Sequence, residues 1–230
     1  MGMVLVPGFM LDAELWRDVE PALTAYSPIV HADLSKDASI ANMAQRAILD
    51  TPPKFILIGF SMGGYVAREI VRQAPERVSA LIQIATSARG DSEIQEQRKA
   101  TIARQTAFEA FRGLSTAAVR SSLHPDNAHR IDLISSIQAM GQRLGGDVFK
   151  RQSLLSRRDE RSELATIKCP SLVIAGDQDK LRSRAEAMEL HEGLAGSTLE
   201  IVEGTGHMIP LEAPQRLSEI IIEWLSGLPY

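Results

Sequence analysis

The sequence predicts an α/β fold: a mostly parallel sheet of about six strands, helices on both faces, and a helical insertion near the middle of the chain. Three observations carry this. Short apolar runs alternate with segments of helical periodicity at both ends of the chain. The run at residues 55–58 is continuously apolar rather than alternating, as a strand covered on both faces must be. The strand signal vanishes between about residues 88 and 167. Helices lying between strands imply right-handed crossovers, and so parallel pairing.

Residues 3–6 are the first apolar run. Leu15, Trp16, Val19 and Leu23 then give residues 12–24 a helical spacing, and residues 28–34 read as the second strand. Ser39 suits an N-cap, with Ile40, Met43, Ala44, Ala47 and Ile48 on one face of the helix behind it. Residues 55–58 are a third run, too short and continuous for a half-exposed strand. Val66, Ile70 and Ala74 mark a helix that Pro75 stops. Residues 80–85 are the fourth strand, 171–175 the fifth, and 198–202 the sixth. Helices are expected at 184–194 and at 214–226, the latter begun by Pro214. Inside the insertion, Ile134, Ile137, Met140 and Leu144 mark one amphipathic helix. Ile94, Thr101, Gln105, Phe108 and Phe111 mark a weaker one. The chain therefore divides into a core of residues 1–87 and 168–230 and a helical cap or lid of residues 88–167. Extra packing without a gating role is the alternative reading of that block.

Length and composition narrow the class. At 230 residues the chain fits one large domain, or a domain with an insertion. Hydrophobic residues at 44% and charged residues at 23% are ordinary globular values, which argues against a disordered chain. Its apolar stretches fall far short of the ~20 residues that span a bilayer. With 25 basic and 29 acidic residues the net charge is -4, so no basic field invites nucleic acid. Cys169 is the sole cysteine and cannot form an internal disulfide. Residues 1–11 lack a basic leader and a cleavage site, and read as a buried strand rather than a signal peptide. The expected location is the cytoplasm. Neither a metal nor an organic cofactor is expected, since there is no HExxH, paired-cysteine spacing, Walker loop or dinucleotide fingerprint. Nothing in the sequence fixes the oligomeric state.

The sharpest feature is Gly59-Phe60-Ser61-Met62-Gly63-Gly64, which follows a buried strand and opens a helix. A Gly-x-Ser-x-Gly turn in that context holds its serine in a strained conformation with the hydroxyl presented. A side chain at 59 or 63 would collide with the adjoining strand or helix. The turn also aims N–H groups of the new helix toward the serine, which suits a developing negative charge. A glycine-rich turn whose serine merely caps the helix is the bland alternative.

A serine nucleophile needs a base. Of the five histidines, His31 lies on an expected strand, and His124, His129 and His191 lie in or beside surface helices. His207 sits in Glu203-Gly204-Thr205-Gly206-His207, just past the sixth strand. That is the end of a parallel sheet where ligands bind, and Ser61 shares it. Gly176-Asp177-Gln178-Asp179 follows the fifth strand at the same end. By sequence alone either aspartate could reach the imidazole, and either could simply cap a loop or helix.

The order Ser61, aspartate, His207 resembles the α/β-hydrolase superfamily, whose triad runs Ser…Asp/Glu…His. The resemblance covers nearly the whole chain: the elbow, the insertion after the fourth strand, the Gly-x-x-Asp turn and the Gly-His loop. The ending His207-Met208-Ile209-Pro210-Leu211-Glu212-Ala213-Pro214 is also similar. The resemblance implies a three-layer fold, Asp179 as the acid because it matches the last residue of Gly-x-x-Asp, and an oxyanion hole made by the backbone N–H groups of Phe9 and Met62. There are two departures. The loop Val6-Pro7-Gly8-Phe9-Met10 has proline where the family usually has histidine, which alters the loop's expected shape but removes no backbone donor. The family's usual leading β-hairpin is not expected here, since the first strand is read as starting at Met3.

The function implied is a serine hydrolase acting on small-molecule carboxylic esters, with hydrophobic or short-to-medium acyl chains and lipolysis within its range. A carbon–carbon bond hydrolase or thioesterase on the same triad is the alternative. A non-catalytic ligand-binding homologue is least favoured, because the triad is complete. Serine at 61 excludes the haloalkane dehalogenase branch, which uses a carboxylate there. The pocket is expected to be apolar, walled by Phe9, Met10, Leu11, Phe60 and Met62, with Phe108, Phe111 and Phe149 from the cap as either lining or core. No cation cluster stands out near the elbow, which disfavours highly charged substrates. Arg157, Arg158 and Arg161 read as a solvated, salt-bridged face. Cys169 reads as a packing residue.

Overall fold

The apolar runs become six strands, the inner four almost wholly buried and the two at the sheet's edges only partly so. In a computed structural model that describes residues 2–103 and 111–228, these are β1 (Gly2–Val6), β2 (Ile29–His31), β3 (Phe55–Phe60), β4 (Val78–Ile84), β5 (Ser171–Gly176) and β6 (Thr198–Val202). They form one sheet in the order β2-β1-β3-β4-β5-β6, and every pair is parallel. The helices are α1 (Ile40–Leu49), α2 (Met62–Gln73), α3 (Glu93–Ala103), α4 (Thr116–Ser122), α5 (Ile131–Ser153), α6 (Arg184–Gly193), α7 (Ile209–Glu212) and α8 (Pro214–Ser226).

The period-2 geometry of a strand splits its side chains between two cores. Met3, Leu5, Ile56 and Ile58 face one cluster, with Leu217, Ile221 and Leu225 of α8. Val4, Val6, Phe55 and Leu57 face the other, with Met43 of α1, Val66 and Ile70 of α2 and Leu190 of α6. A three-layer arrangement results. Val119, Leu123, Ile134 and Ile137, from the segment between β4 and β5, join the first cluster beside Phe60 and Met208.

Four elements differ from expectation, each for a local reason. Residues 12–24 do not form one α-helix. They make two 3-10 helices, Ala13–Trp16 and Glu20–Tyr26. Pro21 cannot donate a backbone hydrogen bond and would clash with the preceding turn of a continuous helix. The second strand is only three residues long, because Pro28 precedes it and the Asp33 carboxylate turns the chain by accepting the Ser35 N–H at 2.9 Å. The third strand runs on through Gly59 and Phe60, which pair with Gln83 and Ile84 of β4. The short α7, with Pro210 in its first turn, was not expected.

In the segment 88–167, Ile134, Ile137 and Met140 are buried along α5 as their spacing predicts, and Gly145 (φ +80°) breaks the helix beyond them. The weaker helix starts as expected, but Ile94 is exposed. Polar pairing holds α3 instead, since buried Lys99 bonds Asp91 and Glu96. Gln105 and Phe108 lie outside the described residues. Arg68 of α2 is wholly buried and bonds Glu160 at 2.8 Å, Gln83 at 2.5 Å and the Ser87 carbonyl at 2.7 Å. None of the described helices is long and apolar enough to cross a membrane.

Candidate active site

Ser61 occupies the turn from β3 into α2 with φ 52° and ψ -114°, a conformation that L residues rarely adopt. The flanking glycines make the turn possible. A Cβ on Gly59 would lie 2.6 Å from the Gly63 carbonyl oxygen and 2.7 Å from the Ala67 Cβ, and one on Gly63 would strike the Val6 and Pro7 carbonyls. The strained turn is tied down from both sides. Ser61 N–H donates to the Ile84 carbonyl at 2.9 Å, and the Thr86 hydroxyl donates to the Ser61 carbonyl at 2.7 Å.

The loops after β5 and β6 bring Asp179 and His207 to this hydroxyl. His207 Nε2 lies 2.9 Å from Ser61 Oγ, and its Nδ1 lies 2.8 Å from Asp179 Oδ2. The Asp179 side chain is fully buried. Its other oxygen accepts the backbone N–H groups of Leu181 and Arg182 at 2.7 and 2.9 Å, so the carboxylate is held in position. Asp177 does something else: it accepts the Thr205 N–H at 3.1 Å and braces the histidine loop. The imidazole also lies against the ring of Phe60, with centroids 5.2 Å apart.

The histidine loop has a second brace. One carboxylate oxygen of Glu212 accepts the N–H groups of Gly206 and Met208, either side of His207, at 2.9 and 3.1 Å. The other accepts the His124 N–H at 2.7 Å and the Asn127 amide at 2.9 Å. His207 N–H itself donates to the Ser122 carbonyl at 2.7 Å. Glu212 was visible in the motif His-x-x-Pro-x-Glu, but no bonding role follows from the letters alone.

Met62 is the first residue of α2, so its N–H has no intrahelical partner. Phe9 sits in the loop after β1, next to Met10, which has φ 55°. No hydrogen bond to another described residue occupies the Phe9 N–H. Gln152 of α5 fixes this loop by accepting the Met10 N–H at 2.8 Å and donating to the Leu34 carbonyl at 3.2 Å. Nothing in the sequence signalled this residue.

A cavity of about 650 Å³ opens above Ser61 and His207. Phe9, Leu11 and Phe60 line it as expected, joined by Val119, Ile137 and Met208. Met10 and Met62 do not line it, because both are buried in the interior. Phe149 stacks on Phe111 and meets the edge of Phe9, so these two rings support Phe9 without lining the cavity themselves. The wall is less neutral than the sequence suggested. Arg98, Lys99, Arg157, Lys180 and Arg182 all reach it. Arg158 and Arg161 pair with Glu163 and Asp159. Among the described residues, no group of three or more His, Cys, Asp or Glu side chains is placed to hold a metal.

The alpha/beta hydrolase family profile matches residues 3–220. A pimeloyl-[acyl-carrier protein] methyl ester esterase of Edwardsiella ictaluri is 28% identical over 246 residues, covering 98% of this chain and 93% of that protein. Its Serratia marcescens counterpart is 26% identical over 244 residues, covering 98% and 94%. Among solved structures, a thermophilic esterase from Thermogutta terrifontis superposes with a TM-score of 0.83 at 25% identity, covering 98% of this chain and 89% of that one. An enol-lactonase from Burkholderia xenovorans LB400 shares the fold at a TM-score of 0.83 and 19% identity, covering 99% and 92%.

Proposed function

The chain belongs to the alpha/beta hydrolase family, and from that membership we propose that it is a carboxylic ester hydrolase working through an acyl-enzyme on Ser61. The observation that carries the mechanism is the continuous chain from Ser61 Oγ through His207 to Asp179, at 2.9 and 2.8 Å.

His207 Nε2 takes the serine proton as Oγ attacks the ester carbonyl. Asp179 holds Nδ1–H, fixes the tautomer and stabilises the imidazolium that forms. The N–H groups of Phe9 and Met62 receive the oxyanion, a role worth about 10²–10³ in rate per donor. Collapse expels the alcohol, which His207 protonates. Water, deprotonated by the same imidazole, then releases the acid from Ser61.

Residues 88–167 serve as the cap. Ile102, Leu114, Val119, Ile137 and Gln152 from this stretch line the cavity together with Ser61. The volume and apolar lining suit acyl chains of short to medium length. The names of the Edwardsiella and Serratia relatives support including methyl esters among the substrates. A cytoplasmic site of action fits a chain with one unpaired cysteine.

Labelling with a fluorophosphonate tests the nucleophile. Wild type is labelled and releases nitrophenol from short-chain nitrophenyl esters, and Ser61→Ala does neither. Folded wild-type protein that resists the label sinks the assignment.

A further inference from the structure

We propose that the pocket above Ser61 selects esters whose acyl chain carries an anion, a carboxylate or a phosphate, at its far end, and that Arg98 and Lys180 receive that charge. The proposal deepens the ester hydrolase reading and rests on it.

The argument is a charge balance at the cavity wall. Five cations and no carboxylate line it among the described residues, although the whole chain carries a net charge of -4. Three of the five are already neutralised. Lys99 bonds Asp91 and Glu96, Arg157 bonds the same Asp91 at 2.9 Å, and Arg182 pairs with Glu186 at 3.3 Å. Three carboxylates thus offset three cations.

Arg98 and Lys180 are left over. Neither has a hydrogen bond or ion pair with a described residue, and both are exposed at the pocket. They come from different elements: Arg98 from α3, Lys180 from the loop beyond β5. Among the described residues, an anion inside the cavity meets two uncompensated charges and no repelling carboxylate.

The rest of the wall decides what carries the anion. The same lining includes Phe9, Leu11, Val119, Ile137 and Met208, which favour a methylene chain. The ligand that satisfies both is amphiphilic: an ester at Ser61, an apolar spacer, and a charged terminus. Because both cations remain solvated, the selectivity is modest and screened by salt.

The test compares matched substrates in purified enzyme: the monomethyl ester of a medium-chain dicarboxylic acid, its neutral dimethyl diester, and the methyl ester of an ω-phosphonoalkanoic acid. The readout is the kcat/KM ratio of each anionic ester to the neutral one. Wild type should favour at least one anionic ester by about ten-fold at low salt, with the difference in KM. The carboxylate and phosphonate arms identify which anion is preferred. Arg98→Gln and Lys180→Gln should each lower the ratio about three-fold, and Arg98→Glu should lower it further. Rising salt should shrink it. Fluorophosphonate labelling of each variant counts functional sites, so misfolding cannot pass for lost selectivity. A wild-type ratio near one, or a ratio unmoved by these substitutions in labelled protein, overturns the proposal. No turnover of any ester together with no labelling of Ser61 overturns the hydrolase reading itself.

Discussion

The side-chain oxygen of Gln152 accepts the backbone N–H of Met10 at 2.8 Å, although 142 residues separate them. The same side chain donates to the Leu34 carbonyl at 3.2 Å. It therefore clamps the loop that carries the Phe9 N–H, and it does so from α5. Met10 holds φ 55°, so the loop needs such a restraint. Gln152→Leu should lower kcat by about ten-fold or more while KM changes little, because a drifting donor weakens only the transition state. A trifluoromethyl ketone inhibitor, which forms the oxyanion on Ser61, should lose affinity in parallel. Equal loss in KM alone would place Gln152 in substrate binding instead.

Glu212 makes four hydrogen bonds that join the His207 loop to residues 124 and 127. An amide keeps only one accepting atom, so Glu212→Gln must abandon one pair of donors. The expected cost is about 1–3 kcal/mol of stability by urea unfolding, with a fall in esterase rate as His207 loses its bracing. Unchanged stability with unchanged rate would show the brace to be dispensable.

Asp179 and Asp177 are two residues apart and act on different partners. Asp179→Asn should cut kcat by about 10³–10⁴, since the amide favours the wrong imidazole tautomer. Asp177→Asn keeps the oxygen that accepts the Thr205 N–H and should stay within about ten-fold of wild type. Nitrophenyl ester kinetics on the two variants separate them, and the reverse order would reassign the acid.

These cases show what a sequence reveals of a site. Ser61 was legible because Gly59 and Gly63 announce a strained turn, and His207 because its loop follows a strand at the same end of the sheet. The letters alone do not choose between the two aspartates of the turn, and it is the 2.8 Å contact of Asp179 with His207 that supports it as the proposed acid. Gln152 was not legible, because a bond across 142 residues leaves no local pattern. The pocket's cations were missed for a related reason: Arg98 with Lys99, Arg157, and Lys180 with Arg182 lie in three separate stretches of chain that converge only in the fold. In the fold itself, short apolar runs alternating with helical segments marked all six strands, while Pro21 outweighed the helical spacing of residues 12–24.

Arg68 depends on Glu160. Burial lowers the pKa of this guanidinium, and the neighbouring carboxylate opposes the shift. Removing the carboxylate leaves a buried charge without its partner, which typically costs about 3–5 kcal/mol. Glu160→Ala should therefore unfold at clearly lower urea concentration than wild type. Replacing both residues, as Arg68→Met with Glu160→Leu, should recover part of the loss, because the desolvated charge goes too. A double variant less stable than Glu160→Ala would contradict this account.

Burial pushes the Cys169 thiol from its ordinary value of 9.0 up to about 11. At pH 8 the folded protein therefore holds it as a neutral thiol, and a disulfide reagent should modify it slowly until denaturant exposes it. The same shift has a consequence for stability. Below pH 9 folded and unfolded chains both keep the proton, so the group has no effect. Between pH 9 and 11 the unfolded chain ionises while the folded one does not, so stability falls as pH rises. Cys169→Ala removes the titrating group, and its melting temperature should decline less steeply than that of wild type across that window. Parallel declines in the two proteins would show that other groups set the alkaline limit.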